Sequence, residues 1–460
     1  MNDEGTCWVV MDARGDLIAE AESHHEAVEW CRQQGLVPVA DEIEDLEEFK
    51  DRTLPVAANA AARVVDEGPQ GDSLLALRLS GVSPIPEQDF ADPAVTDHAW
   101  EVMKDYFPDI RSDKSNPLKY RQRPSELWGA WLGSNEKLDA PAKHGGPAHM
   151  TSLSLLPYTR WLSAMRELHE GDGQLHFANA PYPAPDQKWR RRFVELTESS
   201  YRSRLRRVGP ALRARYTLCA RSTPACREGC LVETGSNTAG AHNFVKKLVL
   251  TTMLHLHPQE FAVMLARRVL QHEVGSRKKT TQHKPGEPMV RFNCYSDLPW
   301  EWIVPWMFEA FSAESEHPVT FYDYTKLCGR APKATENYDL TFTFAISNLL
   351  DCWREVQQGA RVAVVFAQNN LPPVGGSFLL PNPTTRDERD GLLLPVVSGT
   401  EDDARSRDPE QCLVALKWKP PRRYRGDAAA FIVRAKKMGR YYAMDAHLPS
   451  RTHVEEREED

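Results

Sequence analysis

Residues 289–325 read MVRFNCYSDLPWEWIVPWMFEAFSAESEHPVTFYDYT, and this stretch decides the fold. It opens with an apolar strand, MVRFNC, continues through a helical pattern, PWEWIVPWMFEAF, and ends in a second strand, VTFYDYT. Strands that are apolar on both faces and alternate with helices are typical of a parallel sheet covered by helices. The stretch therefore predicts an α/β core.

The same alternation extends from this unit in both directions. Toward the C-terminus follow the strand YDLTFTFA, the helix SNLLDCWREVQQG and the strands RVAVVFA, LLLPVVS, CLVALKWK and AFIVRA. Toward the N-terminus, the strand ARYTLCA precedes two helices that meet at Pro258. Seven or eight such strands suit a closed or partly closed (β/α) barrel. Because several connections are too short for a helix, we expect an irregular or partial (β/α) barrel of the α/β class.

Composition shifts divide the chain into four parts. Residues 1–45 have the pattern of a small β-β-α-β accessory module, which makes an N-terminal α+β unit. Residues 46–210 read as a linker and a mainly helical middle segment, with a loop predicted at 142–150. Residues 211–436 hold the barrel-like core, and residues 437–460 form a charged tail.

Overall composition indicates an ordinary globular protein. The chain has 460 residues, of which 41% are hydrophobic and 27% charged, and a net charge of −8. It contains no apolar run of about 18 residues, so we expect no membrane span. The N-terminus, MNDEGTCWVV, lacks the pattern of a signal peptide. We therefore expect a cytoplasmic protein.

Three of the nine cysteines fall within twelve residues, in the stretch CARSTPACREGC at 219–230. In a reducing compartment, clustered thiols are candidates for metal binding or catalysis and not for disulfides. Their softness suits zinc or iron. Cys219, Cys226 and Cys230 are therefore the candidate metal ligands.

Polar residues collect directly after the predicted strands. Asn293, Ser296 and Asp297 follow the strand MVRFNC, and Asp323 and Lys326 belong to the end of the next strand. In a parallel sheet the C-terminal strand ends face one common cleft, where ligands bind. Because the cysteine cluster follows another such strand, we expect all these side chains to form a single site.

The segment between Arg190 and Arg221 is rich in arginine, and only Glu195 and Glu198 oppose it. Such a face can contact the phosphates of a nucleic acid. A solvated amphipathic helix explains the same pattern. The interleaved aromatic residues Trp189 and Phe193 occur at helical spacing, which favours burial in the core over base stacking.

The motifs VRFNCYSDLPWE, FYDYTK, NYDLTF, VAVVF and LVALKWK, in that order, resemble the phage gene product 88 family. The resemblance covers roughly residues 213–434, and FYDYTK at 321–326 is its most specific element. A clustered-cysteine segment before a long helix is also similar to that family. Two features depart from its pattern: Cys294 replaces an expected glycine, and PNPTTRDERDG replaces a more acidic loop. The resemblance implies a phage-encoded protein in the cytoplasm of a host cell.

The layout is also distantly similar to radical S-adenosylmethionine enzymes. In those proteins three cysteines after the first barrel strand bind a [4Fe–4S] cluster, whose fourth iron holds S-adenosylmethionine. This resemblance implies that Cys219, Cys226 and Cys230 hold a cluster. It further implies that the polar strand-end residues hold cofactor or substrate, namely Asn293, Ser296, Asp297, Asp323 and Lys326. The cysteine spacing here is six and three residues, where three and two are usual, and no Gly-Gly-Glu stretch follows the second strand.

Two other functions remain open. One is a zinc protein that binds nucleic acid, in which His242 or Cys294 completes a tetrahedral site with the three cysteines. The other is a metal-free barrel whose polar strand ends bind a small ligand and whose cysteines, Cys294 included, are small core residues. The sequence lacks a Walker loop, HExxH, a nucleophile elbow and a dinucleotide fingerprint, which argues against the common classes of enzyme that use them. It leaves the substrate and the oligomeric state open.

Overall fold

The structure is a computed structural model. It describes residues 8–11, 17–21, 90, 92–107, 132–133, 148–171, 176–177, 180–181, 187–206, 218–219, 230, 241–278, 285–330, 335–345, 348–367, 370–385, 390–400, 403–418 and 432–444. Cys226, most of the strand ARYTLCA, and the predicted helix and third strand of the N-terminal module lie outside these residues.

The described residues form fifteen strands and eight α-helices. The strands are β1 (Trp8–Met11), β2 (Leu17–Ala21), β3 (Leu132–Gly133), β4 (Ala148–Leu153), β5 (His176–Phe177), β6 (Ala180–Pro181), β7 (Glu287–Arg291), β8 (Thr320–Thr325), β9 (Tyr338–Thr343), β10 (Arg361–Phe366), β11 (Ser377–Leu380), β12 (Leu392–Ser398), β13 (Leu413–Lys417), β14 (Ala435–Met438) and β15 (Tyr441–Met444). The helices are α1 (Pro93–Met103), α2 (Tyr158–Glu170), α3 (Gln187–Ser200), α4 (Ala241–Leu256), α5 (Pro258–Ser276), α6 (Trp300–Ile303), α7 (Pro305–Ala310) and α8 (Leu349–Gln357).

Eleven strands join in one sheet, in the order β14-β15-β11-β12-β13-β10-β9-β8-β7-β4-β3. Neighbours from β4 through β12 in this order are all parallel. From β4 to β10 each strand lies beside the one that follows it within the sheet along the chain, as in a singly wound α/β unit. The α/β class is thus confirmed. The barrel is not confirmed, because the strands of the described part follow an open order that ends at β14 and β3.

Most elements lie where the sequence patterns predict them. Helices α4 and α5 meet at Pro258, which opens α5 because a first helical turn needs no proline N–H. The pattern PWEWIVPWMFEAF divides into α6 and α7, because Pro305 cannot donate the hydrogen bond that would continue one helix. No helix in the described part of the chain has both the length and the apolar character that crossing a bilayer requires.

One prediction is wrong. The loop expected at 142–150 ends earlier, because Ala148 begins strand β4, which pairs with β7 from Ala148 to Ser152. Ala148 and Met150 are buried on the sheet face that Tyr322 also occupies. The stretch that begins at residue 437, where the sequence predicts a charged tail, contains β15, which pairs with β11.

The larger core lies between the helices and one face of the sheet, and Phe321 of β8 is at its centre. The ring centroid of Phe321 is 4.7 Å from that of Phe308 and 5.0 Å from that of Phe292. Phe311 and Tyr338 complete the aromatic cluster at 6.2 and 6.5 Å. Aromatic rings in tilted or edge-to-face contact add to the free energy gained by burial. This cluster holds α7 against the strands whose ends carry the polar residues.

Replacing Phe321 by alanine is expected to lower the free energy of unfolding by about 3–5 kcal/mol, because it leaves a cavity in the core. Urea denaturation measures this change. The matched control is Leu393→Ala, since the Leu393 side chain is 57% exposed and should lose less than about 0.5 kcal/mol. Equal losses in the two variants would contradict the assignment of Phe321 to the core.

Candidate functional site

Asp323 is the centre of the polar residues at the strand ends. Its carboxylate accepts hydrogen bonds from the backbone N–H groups of Asn293 at 2.7 Å and Phe292 at 3.3 Å. The hydroxyl of Tyr338 donates at 2.6 Å, and the amide of Asn293 donates at 3.3 Å. Arg291 Nε lies 3.7 Å from the same carboxylate. Asp323 therefore ties the segment after β7 to β9, across the strand that lies between them.

Complete burial raises the pKa of Asp323 to about 7, although the charge of Arg291 and the donors Tyr338 and Asn293 act in the opposite direction. Desolvation disfavours the ionised carboxylate more than these groups favour it. The Asp323 side chain is therefore able to take up or release a proton near neutral pH.

Asn293 fixes the shape of the loop after β7. Its Oδ1 accepts from Ser296 Oγ at 2.8 Å, from Leu298 N at 3.0 Å and from Trp300 Nε1 at 3.1 Å. Its Nδ2 donates to Leu298 O at 2.9 Å. Asn293 and Ser296, both buried, thus make these hydrogen bonds within the protein. The sequence placed them correctly at the strand end, and the structure gives them a part in shaping the loop.

Asp297 belongs to a second buried network, centred on Arg330. Arg330 donates from Nε and Nη2 to the two oxygens of Glu301, at 2.6 and 2.8 Å. Its Nη1 donates to Asp297 at 3.1 Å and to Thr325 at 3.0 Å. Burial raises the pKa of Asp297, and the charge of Arg330 opposes the change. The sequence analysis missed Arg330 and Glu301, because they are 29 positions apart and no local pattern links them.

Lys326 lies at the same edge of the sheet. Its backbone N–H donates to Asp297 Oδ2 at 2.8 Å, which joins the end of β8 to the loop after β7. Leu218, next to the first cysteine, accepts from the backbone N–H of Asp297 at 2.6 Å. All five strand-end residues predicted from the sequence are thus brought together, and the start of the cysteine segment is attached to them.

Cys219 and Cys230 lie against the same loop, near Tyr295. The thiol of Cys219 is 3.5 Å from the carbonyl oxygen of Tyr295. Cys230 packs against the large core beside Tyr295 and is close enough to influence the ionisation of Tyr295. Cys294, expected from the sequence as a core residue or as a fourth zinc ligand, is half-buried and contacts the side chain of Tyr295. Three thiols therefore lie near Tyr295, one of them at its backbone carbonyl.

Cationic side chains accompany these thiols. The Lys247 ammonium lies 4.7 Å from the centre of the Tyr295 ring, and Lys247 is buried. Burial lowers the pKa of Lys247, and the nearby thiols of Cys294 and Cys230 oppose that change. Burial also lowers the pKa of Arg160, against the influence of Cys230. The thiolate of cysteine is the form that binds metals and acts as a nucleophile, and a neighbouring cation can offset its charge.

A further cation adjoins this cluster on α4. Burial, together with the positive charges of Lys247 and Arg268, lowers the pKa of Lys246 to about 8. Like charges this close destabilise one another unless an anion joins them. The described residues of α4 and α5 therefore bring three cationic side chains close together.

No group of three or more His, Cys, Asp or Glu side chains in the described residues is arranged to hold a metal ion. Cys219, Cys230 and Cys294 on their own do not form such a group, while Cys226 lies outside the described residues. His242 belongs to α4, but its side chain is not described.

The opposite face of the sheet carries a cluster that the sequence analysis did not single out. The Arg291 guanidinium lies 4.7 Å from the centre of the Tyr324 ring and donates to Asp403 at 3.3 Å. The Tyr324 hydroxyl donates to the other oxygen of Asp403, also at 3.3 Å. Arg291 therefore connects Asp403 on one face with Asp323 on the other.

The arginine-rich segment forms α3 and a following turn of π-helix, residues Tyr201–Leu205. Trp189 and Phe193 are buried, so their helical spacing reflects core packing, as the sequence favoured. Described arginines of this segment pair with carboxylates: Arg192 with Asp105, Arg202 with Glu198, and Arg206 with Glu170. These ion pairs reduce the positive potential of the helix. Residues 207–217 and 220–221 lie outside the described part.

Asp323→Asn is expected to lower stability, because an amide nitrogen would face N–H donors at this position. Its pH dependence is a sharper test. A raised folded-state pKa means that Asp323 stabilises the fold most below the unfolded pKa of about 4, and that this contribution is lost as the pH rises to about 7. Arg291, Arg330 and Tyr338 face the carboxylate, and the folded-state pKa of about 7 already includes their influence. The stability gap between wild type and variant should therefore narrow from pH 4 to pH 7, as measured by urea denaturation. A gap that widens would show that Asp323 stabilises the fold as an anion.

Arg330→Met is expected to cost about 3–5 kcal/mol, because it leaves the buried carboxylates of Glu301 and Asp297 without their cation. Thermal and urea unfolding measure the loss. Arg354→Met, which removes the charge of an exposed arginine, is the control and should change stability by less than about 0.5 kcal/mol. Adding Glu301→Leu to Arg330→Met should restore part of the loss; a further loss instead would contradict the pairing.

A model of the protein family described as Gene product 88 matches residues 188–435. No match to the chain was found among curated proteins or among solved structures. The matched range contains the parallel strands β7 to β10, the three clustered cysteines and both buried networks at the strand ends. Since it covers more than half of the sequence, the chain belongs to the gene product 88 family.

Proposed function

We propose that this chain is an iron–sulfur enzyme of the radical S-adenosylmethionine type, encoded by a phage and working in the host cytoplasm. Cys219, Cys226 and Cys230 would hold a [4Fe–4S] cluster at the C-terminal edge of the parallel strands. The observation that carries the proposal is the position of Cys219 and Cys230, which both lie against the loop after β7, beside a buried lysine.

The charges near these thiols fit a cluster of this kind. Three thiolates bound to a [4Fe–4S] core leave a negative charge in a partly buried place, which needs cations nearby. Lys247 and Arg160 supply these cations. Cys230 acts to raise the pKa of both side chains, against the lowering by burial, and so favours their charged forms. An S-adenosylmethionine bound to such a cluster supplies radical chemistry.

The protein's own residues would prepare the site in two ways. Asn293 and Ser296 hold the loop after β7 in one shape through hydrogen bonds among themselves. Asp297, Asp323 and Lys326 would hold cofactor or substrate from the adjoining strand end, as their position at this edge supports. Asp323, whose pKa is raised to about 7, would exchange a proton at neutral pH.

The cationic residues also bear on the class of substrate. Lys247 and Arg268 lie close enough to Lys246 that their positive charges help to lower its pKa. A phosphate-bearing substrate, a nucleotide or a nucleic acid, would relieve this repulsion. The alternative function is that of a nucleic-acid-binding protein that holds zinc in place of the cluster. Metal analysis distinguishes this zinc protein from the iron–sulfur enzyme.

The decisive variant is Cys226→Ala, with protein purified without oxygen. Wild type should contain iron and sulfide and absorb near 400 nm, whereas the variant should lose most of both, because a cluster needs three thiolates on one short segment. Cys412→Ala is the control, since Cys412, which directly precedes β13, is buried and burial raises its pKa to about 12. If the protein is colourless and contains zinc, the result supports the zinc protein and contradicts the iron–sulfur enzyme. Unchanged iron in Cys226→Ala would remove the proposal.

A further inference from the structure

The hairpin of β14 and β15 lies at one end of the described sheet, and its sequence, RAKKMGRYYAM at 434–444, is basic. The two strands are antiparallel, and the two-residue turn Gly439-Arg440 joins them. Gly439 has a φ of +65°, as the first central position of a type II′ turn requires. Because the turn is this tight, it fixes the register of the two strands and the positions of the side chains along them.

One side of the hairpin is packed on the protein. Ala435, Tyr442 and Met444 contact the smaller hydrophobic core, which includes Phe366 and Phe378. The backbone of Tyr442 also pairs with Phe378 of β11. The hairpin is therefore anchored to the sheet, and side chains on its other side have fixed starting points.

The described cationic residues of the hairpin are all exposed, and they are Arg434, Lys436, Lys437 and Arg440. No described carboxylate forms an ion pair with any of them. The exposed arginines of α3 differ in this respect, because Arg192 pairs with Asp105 and Arg202 pairs with Glu198. The hairpin therefore carries positive charge that no described residue neutralises.

The common sign of these charges indicates an anionic partner. Charged residues on the last strand of a sheet also hinder pairing with another chain. Charges of either sign serve that purpose, yet all four are positive, and Arg434 and Arg440 lie outside the strand itself. Because the chain as a whole has a net charge of −8, attraction of a polyanion depends on a local group of cations such as this one.

We propose that the outer side of this hairpin binds the phosphate backbone of double-stranded DNA without reading its sequence. Alternation along the strand places Arg434 and Lys436 on the same face, about 7 Å apart. A duplex carries one negative charge for about every 1.7 Å of its axis, and its phosphates lie on the outside. An exposed row of cations can therefore reach several phosphates without displacing a base. This surface requires no metal, so the proposal goes beyond the proposed enzyme and is tested separately from it.

The test uses the full chain and a short labelled duplex of mixed sequence, with binding measured by fluorescence anisotropy over a range of salt concentrations. The double variant Lys436→Gln/Lys437→Gln should bind more weakly. Its plot of log K against log salt should be less steep by about 1.8, because two phosphate contacts are lost at about 0.9 each. Lys436→Arg/Lys437→Arg keeps both charges and should bind as wild type does, which separates a loss of charge from a disturbed strand.

The matched control is Arg191→Gln/Lys278→Gln, which removes two positive charges from exposed residues elsewhere in the chain. Its salt dependence should equal that of wild type. No binding by wild type at low salt, or the same loss in both Gln double variants, would overturn the proposal. Tighter binding of a single strand, or of polyglutamate, would assign the hairpin to another partner and overturn it as well. Cys226→Ala should bind the duplex as wild type does; if binding disappears in that variant, the hairpin is not the site.

Discussion

The buried carboxylate of Asp323 is the constraint on which the rest of the site depends. It is fully buried and connects three neighbouring strands, because its hydrogen bonds reach the segment after β7 and the hydroxyl of Tyr338 on β9. A buried carboxylate is tolerated only where donors surround it. Those donors are in place only when β7, β8 and β9 are in register. The register of the sheet and the shape of the strand-end loop are therefore coupled.

Charges at this end of the sheet are separated by sign. The carboxylates Asp297 and Glu301 face the guanidinium of Arg330 inside the protein, and both accept hydrogen bonds from it. Lys247 of α4 lies over the ring of Tyr295, and the thiols of Cys294 and Cys230 are near enough to influence its pKa. The first group stabilises the loop. The second places a buried cation beside thiols, and this is where an anionic group, whether a thiolate or a ligand, is stabilised.

Local patterns predicted much of the fold from the sequence. The alternation of apolar strands and helices predicted β7, β8 and the helical stretch between them, and Pro258 marked the junction of α4 and α5. The position of Asp323 and Asn293 at adjacent strand ends followed from the rule for parallel sheets. Other features depend on contacts between distant residues. Arg330 and Glu301 are partners across 29 positions, and Cys294 lies beside Lys247 of another helix. Neither pairing leaves a signal in one sequence. Whether the sheet closes also depends on pairing between strands, which periodicity does not reveal.

The pairing of β4 with β7 has a consequence for how the chain reaches its native state. Ala148 aligns with Glu287, and the four helices α2 to α5 lie between the two strands in the chain. During synthesis β4 leaves the ribosome long before its partner exists. Closing so long a loop costs entropy before the strand pairing repays it. Of its two partners in the described sheet, β4 then has only the short β3, and an open strand edge of this kind is prone to pair with a neighbouring chain.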